Sequence, residues 1–349
     1  AAGPTACGSS AAASTAAVPP DITVVLLGNQ AARRRLALSR LQGIDALTGP
    51  ARAAATELET TLRDDLADSG VFELQGPADF AVLTLTGDAA NDRLQYQSLG
   101  NELLLAGEVR MEADRLLLEA RLVDLKSGQE ILAKRYRAVL NLSRQVAHKL
   151  SDEIVLYLSG TPGIAQTTIA FSSDRDGAKE IYLMDADGHG QRRITGHRSI
   201  SMSPAWAPGN DTVAYVSFFD GPPSLYLVDL ATGGKRTLLA DGPLNISPSF
   251  SPDGRRIAFS RSVGGNAEIF LCNLDGTGLR RLTTSAGIDT SPAWSPKGGE
   301  IAFTSSRAGN PHIYLMDTDG ANVRRITFEG DYNDGAAWSP DLTQLAYAR

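Results

Sequence analysis

SPAWSPKGGEIAF, at residues 291–303, recurs in related form every 44 residues along the C-terminal half of the chain. The related stretches are SPAWAPGNDTVAY at 203–215, SPSFSPDGRRIAF at 247–259 and GAAWSPDLTQLAY at 335–347. Other markers keep the same step, such as Ile181-Tyr-Leu, Leu225-Tyr-Leu, Ile269-Phe-Leu and Ile313-Tyr-Leu. A repeat that keeps its period without slippage predicts tandem structural units.

Each repeat has the pattern of a propeller blade. Four short apolar or β-branched segments alternate with turn sequences such as Ser251-Pro-Asp-Gly and Asp187-Gly188. Four antiparallel strands in about 44 residues are typical of one blade. We therefore predict an all-β propeller over residues 161–349, of which the chain covers roughly four to five blades. Because the chain stops inside a strand that should pair, we expect the sequence to be incomplete at its C-terminus.

One aromatic residue stands at the same place in every repeat. These residues are Trp206, Phe250, Trp294 and Trp338. They could form a stacking ladder for a sugar or a base. An aromatic at one fixed place in each blade is better explained by packing of one blade against the next, so we predict that all four belong to the core.

Residues 21–160 lack the repeat and predict a smaller α/β domain. We expect strands at Ile22–Leu27 and Phe80–Leu85 and a helix at Arg52–Ser69. Arg33, Arg34 and Arg35, followed by apolar residues at helix-like spacing, predict a solvated helix face. The predicted antiparallel meander and closing helix are Glu102–Val109, Leu116–Asp124, Glu130–Arg137 and Ser143–Leu158.

Residues 1–20 are rich in Ala, Ser and Gly and predict a flexible, processed arm. Cys7 lies in this arm, in a setting that only loosely matches a lipoprotein processing site, since Pro4 replaces a Leu-like residue. Cys272 lies in a repeating strand where other copies carry Met or Val, which predicts a buried apolar side chain rather than a disulfide partner.

Composition excludes several function classes. The formal net charge of −7 argues against a surface that neutralises phosphates, so neither nucleic acid nor anionic membrane is an expected partner. No apolar stretch reaches the ~20 residues needed to cross a bilayer. The chain has no Gly-x-Ser-x-Gly elbow, Walker A loop, His-Glu-x-x-His motif or cysteine cluster, and its four histidines are not at metal-ligand spacing. A non-enzymatic binding protein is the best reading.

Motifs in both halves resemble the TolB family. The stretch 62–72, the hairpin 107–125 ending in Val-Asp-Leu, and the helix 148–160 are similar to the family's N-terminal domain. The Ser-Pro-Ala-Trp and Ile-Ala-Phe motifs are similar to its propeller but are shared with other propellers. The resemblance implies a periplasmic, six-bladed, non-catalytic adaptor of the Tol-Pal system. It also implies a monomer without cofactor that supports outer-membrane integrity and cell division, with a channel ion such as calcium left open.

The resemblance also implies two partners. One is the lipoprotein Pal at the propeller mouth, and the other is TolA, bound through the N-terminal arm. The longer loops before each Ser-Pro-Ala-Trp motif share one face with those joining the second and third strands, which is where recognition is expected. Carried over by position, the Pal-contacting candidates are Met202, Leu244, Asn245, Ser247, Asp289, Thr290, Ser291 and Asn333.

Two other functions fit a propeller. The first is a gating domain of a prolyl-oligopeptidase-like serine peptidase, which would need a catalytic domain with a Gly-x-Ser-x-Gly elbow beyond Arg349. The second is a glycan- or surface-binding propeller, which would need aromatic residues in the mouth loops. Phe218, Phe219 and Tyr332 are the aromatic residues there that qualify.

Overall fold

A computed structural model of the chain describes residues 33–86 and 89–349. The predicted arm, Cys7 and the predicted strand Ile22–Leu27 lie outside these residues. The described part consists of an α/β region followed by a series of small antiparallel sheets. This arrangement confirms the predicted fold class.

The front domain is built on one mixed sheet of five strands in the order β2-β1-β3-β4-β5. Strand β1 runs parallel to β2 and β3, and β3, β4 and β5 form the predicted antiparallel meander. The strands are β1 Arg34–Leu38, β2 Phe72–Gln75, β3 Leu103–Glu112, β4 Arg115–Asp124 and β5 Glu130–Ala138. The helices are α1 Gly49–Asp68, α2 Ala89–Ser98 and α3 Ser143–Ser159, with 3-10 turns at Ile44–Ala46, Pro77–Phe80 and Leu140–Leu142.

The predicted helix face at Arg33 to Arg35 was wrong, because residues 34–38 form strand β1, which lies between β2 and β3. Leu36 and Leu38 lie in the core formed with helices α1 and α3, whereas Ala37 packs in a second cluster with Phe80 and Tyr96. A strand covered on both faces is apolar without alternation. Over so few residues such a run cannot be told from a buried helix by its spacing.

The predicted strand Phe80–Leu85 was also wrong. Its first residue ends a 3-10 turn, and the ring of Phe80 meets the ring of Tyr96 edge to face, with centroids 5.0 Å apart. The chain instead forms strand β2 before this segment, at Phe72–Gln75, and helix α2 after it, at Ala89–Ser98. Helix α2 was not predicted. Few of the side chains of α2 face the core, so its sequence carries little helical periodicity.

The repeats fold into successive sheets as predicted. Within the described residues, three sheets have four strands, the first has three and the last has two. The first three strands are β6 Thr168–Ser173, β7 Glu180–Asp185 and β8 Arg192–Arg193. Three complete blades follow. The first consists of β9 Ser201–Trp206, β10 Thr212–Ser217, β11 Ser224–Asp229 and β12 Lys235–Leu239, and the second of β13 Asn245–Phe250, β14 Arg256–Val263, β15 Asn266–Asn273 and β16 Arg280–Arg281. The third consists of β17 Asp289–Trp294, β18 Glu300–Ser305, β19 His312–Asp317 and β20 Arg324–Arg325. Strands β21 Asp334–Trp338 and β22 Leu345–Ala348 follow.

The repeated aromatic residues pack between blades, as predicted. Trp294 is buried against Ile269 of the preceding blade and Phe303 of its own blade. The ring nitrogen of Trp338 donates a hydrogen bond to the carbonyl oxygen of Ala293, at 3.0 Å, which joins the last two sheets. Phe250 and Trp294 are buried in the core, whereas Trp206 and Trp338 are partly buried against it. The rings therefore serve in packing and do not form a ligand platform.

The two domains are joined by a short, tethered connection. Helix α3 ends at Ser159, is capped by Gly160 in the left-handed conformation, and β6 begins at Thr168. The carboxylate of Asp152 in α3 accepts hydrogen bonds from the backbone N–H groups of Ala165 and Gln166, at 2.9 and 3.0 Å. These bonds hold the start of the propeller against the last helix of the front domain.

Two further observations concern the whole described chain. Cys272 is 1% exposed and unpaired, and burial raises the pKa of its thiol to about 12, as expected of an apolar core position. No helix among residues 33–86 and 89–349 is both long enough and apolar enough to cross a bilayer.

We predict that Trp294→Ala lowers the free energy of unfolding by about 3 kcal/mol, because it opens a cavity between two blades. Ile288→Ala is the matched control. Ile288 lies just before the same strand but is 55% exposed, so its loss should cost about 0.5 kcal/mol or less. Urea unfolding, followed by the far-ultraviolet circular dichroism of the backbone, measures the free energies of unfolding of both variants. Equal effects of the two substitutions would contradict the assignment of Trp294 to the core.

Candidate functional site

The candidate site is the face of the propeller that we call the mouth. It is formed by the loops before β9, β13, β17 and β21 and by those joining the second and third strands of each blade. Asp289, at the start of β17, lies opposite Ser305, at the end of β18, which places both kinds of loop at one end of the sheet. The backbone N–H of Phe218 donates to the carbonyl of Ile200, at 3.0 Å, and ties the two loops together.

Three of the eight predicted contact residues occupy equivalent positions and are completely buried. Asn245, Asp289 and Asn333 are each 0% exposed. The side-chain amides of Asn245 and Asn333 donate to the carbonyls of Asp241 and Glu329, each at 2.9 Å, and so close the loops that precede their strands. These residues position the loops and cannot meet a partner directly.

Asp289 makes the corresponding bonds as an acceptor. One carboxylate oxygen accepts from the hydroxyl of Ser305, at 2.5 Å, and the other from the guanidinium of Arg307, at 2.8 Å. Burial raises the pKa of Asp289, while the hydroxyl and the guanidinium act in the opposite direction. Its carboxylate therefore connects the loop before β17 to the loop after β18 through hydrogen bonds.

Two other predicted residues, Ser247 and Ser291, shape the backbone. Their φ angles are 53° and 52°, and the equivalent Ser203 and Gly335 also have positive φ. Each lies where the pairing of the first and second strands shifts register, which is a β-bulge. The N–H of Ser291 donates to the hydroxyl of Ser260 in the neighbouring blade, at 3.2 Å. The bulge thus turns a backbone donor toward the next blade.

The remaining predicted residues are accessible to different degrees. Met202 is 36% exposed at the mouth, whereas Leu244 and Thr290 are half-buried. Met202 is therefore the most accessible of the eight predicted residues, and only Asn245, Asp289 and Asn333 among them are fully buried.

A buried polar network supports the loops from below. Glu268 is 0% exposed, and its carboxylate accepts from the hydroxyl of Thr283 at 2.6 Å, the N–H of Ser285 at 3.0 Å and the guanidinium of Arg281 at 2.8 Å. Glu180 occupies the same position two blades earlier, and its carboxylate accepts from the hydroxyl of Thr195 at 2.5 Å. Burial of a carboxylate is tolerated when it is paired and hydrogen-bonded in this way.

The next blade uses a histidine where Glu180 and Glu268 stand. His312 lies 2.8 Å from the guanidinium of Arg325 and 2.9 Å from the amide nitrogen of Asn333, both through its ring nitrogens. Burial lowers the pKa of His312, and the positive charge of Arg325 lowers it further. A neutral ring can accept from the guanidinium of Arg325 at Nε2 and places no second cation beside it.

Large apolar side chains are exposed above this network. Ile200, Ile288 and Tyr332 occupy equivalent positions 44 residues apart or a multiple of it, and are 49%, 55% and 54% exposed. Phe219 and Phe328, in neighbouring loops, are 53% and 74% exposed. We call these five residues the apolar ring of the mouth. Clustered exposed apolar groups rimmed by polar residues mark a protein interaction site.

The prediction from sequence missed Ile200 and Ile288 and weighed Tyr332 only as a glycan contact. The signal was present, because an apolar residue recurs at one fixed place in loops that otherwise vary. Apolar residues in a repeat are usually assigned to the core, and only the structure shows that this position faces outward.

A family model described as the TolB beta propeller domain matches residues 156–349, and one described as the TolB amino-terminal domain matches residues 22–131. Curated relatives include the Tol-Pal system protein TolB of Syntrophotalea carbinolica, 37% identical over 179 residues, and that of Geobacter metallireducens, 36% identical over 169 residues. These alignments cover 50% and 48% of this chain and 42% and 38% of the two relatives. The chain thus spans about two fifths of their length.

A solved structure is also similar. The crystal structure of TolB from Acinetobacter baumannii superposes with a TM-score of 0.76 at 29% sequence identity, and the match covers 90% of this chain and 76% of that one. Both the front domain and the propeller therefore have counterparts in one known protein.

We predict that Ser291→Gly changes the free energy of unfolding by less than about 1 kcal/mol, whereas Ser291→Val lowers it by about 1–3 kcal/mol. Glycine adopts the positive φ of the bulge without strain, as Gly335 does in the last sheet, but a β-branched side chain does not. Urea unfolding of the two variants measures the difference. Valine tolerated as well as glycine would show that the bulge does not require this backbone conformation.

Proposed function

The chain belongs to the TolB family, and we propose that it is a non-catalytic adaptor of the Tol-Pal system that acts in the periplasm. The propeller model matches more than half of the chain, and the relatives named above are Tol-Pal system proteins. Support for outer-membrane integrity and cell division is part of this proposal, as is action as a monomer without a cofactor.

The apolar ring of the mouth carries the proposal. Ile200, Ile288 and Tyr332 project from loops that buried polar side chains hold in place. These side chains are Glu180, Glu268 and Asn333, in the same order. A surface that is already ordered loses little conformational freedom on binding, so more of its contact energy is available for affinity. Exposed Ile, Phe and Tyr side chains are suited to enter apolar pockets of a folded protein.

We place the lipoprotein Pal at this mouth. Direct contact is assigned to Met202, Leu244 and Thr290 together with the apolar ring, and a positioning role to Asn245, Ser247, Asp289, Ser291 and Asn333. The mouth carboxylates support a binding role over a catalytic one. The oxygens of Asp289 and Glu268 already accept hydrogen bonds from arginine, hydroxyl and backbone donors.

TolA is the second proposed partner. The interaction is assigned to residues 1–20, which lie outside the described residues, so only the sequence resemblance supports it. Deletion of residues 1–20 should abolish capture of the TolA periplasmic domain and leave Pal affinity unchanged. Surface plasmon resonance with each partner immobilised measures both, and undiminished capture of TolA by the shortened chain would contradict the assignment.

The decisive experiment is calorimetric titration of the chain with the Pal periplasmic domain from the same genome. We expect micromolar or tighter binding, weakened about tenfold or more by Ile288→Ala and by Tyr332→Ala, since each removes an exposed apolar anchor. Leu279→Ala is the matched control, because Leu279 is 41% exposed but follows a turn on the opposite face, in the blade that precedes β17.

The possible results separate two claims. Absence of binding by folded protein would overturn the proposed partner. Binding that neither Ile288→Ala nor Tyr332→Ala weakens would keep the partner and remove the mouth as its site.

A further inference from the structure

Three charged side chains from three elements meet where the front domain touches the propeller. Asp65 belongs to α1, His148 to α3, and Asp187 to the turn between β7 and β8. The His148 Nδ1 lies 2.8 Å from a carboxylate oxygen of Asp65, and its Nε2 lies 3.4 Å from a carboxylate oxygen of Asp187. His148 is 4% exposed, so the ring is almost completely removed from water.

The geometry constrains the protonation of the ring. A contact of 2.8 Å between Nδ1 and the carboxylate of Asp65 requires a proton on Nδ1, because carboxylates only accept. A neutral ring would then direct the lone pair of Nε2 at the oxygen of Asp187. Nε2 has no hydrogen-bond partner among the residues that the structure describes. A second proton, on Nε2, converts this repulsion into an attraction to Asp187.

Basic side chains also surround Asp187, and the positive charge of Arg144 opposes the effect of the two carboxylates by lowering the pKa of His148. Arg144, one turn before His148 on α3, contacts the carboxylate of Asp187 and the hydroxyl of Thr61, the latter at 3.0 Å. His189, in the turn, is mostly exposed and lies 3.4 Å from the other oxygen of Asp187.

The carboxylates of Asp68 and Asp152 line the small pocket beside the cluster together with those of Asp65 and Asp187. Two carboxylates, those of Asp65 and Asp187, contact the imidazole of His148. The hydrogen bond to Asp65 raises the pKa of His148, although burial opposes it.

We propose that the protonated ring of His148 is a pH-sensitive latch that fastens the front domain to the first blade. It bridges Asp65 within the front domain and Asp187 on the propeller. At pH values where the ring is neutral, the bridge to Asp187 is lost, and the junction retains Arg144 and the bonds of Asp152 to the backbone at Ala165 and Gln166.

The direction of the pH effect follows from the raised pKa of His148. In the unfolded chain a histidine titrates near about 6.5. Because the pKa of His148 is higher in the folded protein, the latch contributes its full stabilisation below about pH 6.5 and loses it as the pH rises through the folded value. The latch lies at the junction of the two domains and involves no partner protein.

The test is a proton NMR titration of the imidazole resonances of the full chain between pH 5 and 9, with His148→Gln used to assign the signal of His148. We expect the pKa of His148 to lie above 6.5, and Asp187→Asn to lower it by about one unit because an opposite charge nearby is removed. His189→Gln is the matched control and should leave the pKa of His148 unchanged, since His189 contacts Asp187 and not the ring of His148.

A pKa of His148 at or below 6.5, or one that Asp187→Asn does not lower, would overturn the proposal. A change of the resonance on addition of EDTA would also overturn it, by showing that a metal ion and not a proton occupies the space beside Nε2. If His148→Gln does not fold, hydrogen exchange of the wild-type chain replaces the assignment. Corrected for intrinsic exchange rates, protection of residues 143–159 should fall above the folded pKa of His148 and stay constant in Asp187→Asn.

Discussion

Each blade of the propeller is a small sheet with two apolar faces, and neither face is covered until another blade lies against it. Ile257 and Phe259 of one strand lie in a cluster shared with the preceding blade, whereas Ala258, between them, packs toward the following one. The second strand of each complete blade, which is β10, β14 or β18, accordingly carries several consecutive buried residues. This requirement for burial on both sides holds the blades in register, and all other features of the molecule are placed relative to it.

The mouth depends on that register. Because the blades repeat, polar residues at equivalent positions become a ring of buried groups, in which Asn245, Asp289 and Asn333 each hold the loop beside them. The exposed Ile200, Ile288 and Tyr332 then stand on a stiff base. The hydrogen bonds of these buried groups stabilise one arrangement of the loops, which suits a surface that binds a folded partner.

The contacts at the junction between the two domains are polar, whereas the contacts between blades are apolar. Arg144, His148 and Asp152 of α3 all reach toward the first blade or its leading segment. An interface that rests on charges responds to protonation, whereas one that rests on apolar area does not. The mouth and the junction are therefore subject to different controls, although both are built on the same propeller.

The sequence by itself determined the repeat, the four-stranded blade, the packing role of Trp294 and its equivalents, and the meander and two helices of the front domain. These features follow from local turn chemistry and from strictly periodic apolar residues, which need no knowledge of distant contacts. It also predicted that the two sets of mouth loops share one face of the propeller, because strand direction alternates within a blade.

Only the tertiary structure decided the rest. Arg34–Leu38 is a strand because it is covered on both faces by segments far away in the chain, which its own spacing cannot reveal. Asn245, Asp289 and Asn333 are interior because loops fold over them, and Ile288 is exterior because none does. Asp65, His148 and Asp187 meet across long stretches of chain, so their chemistry exists only after both domains have folded. Burial and long-range contact are properties of the folded chain, and a local pattern does not encode them.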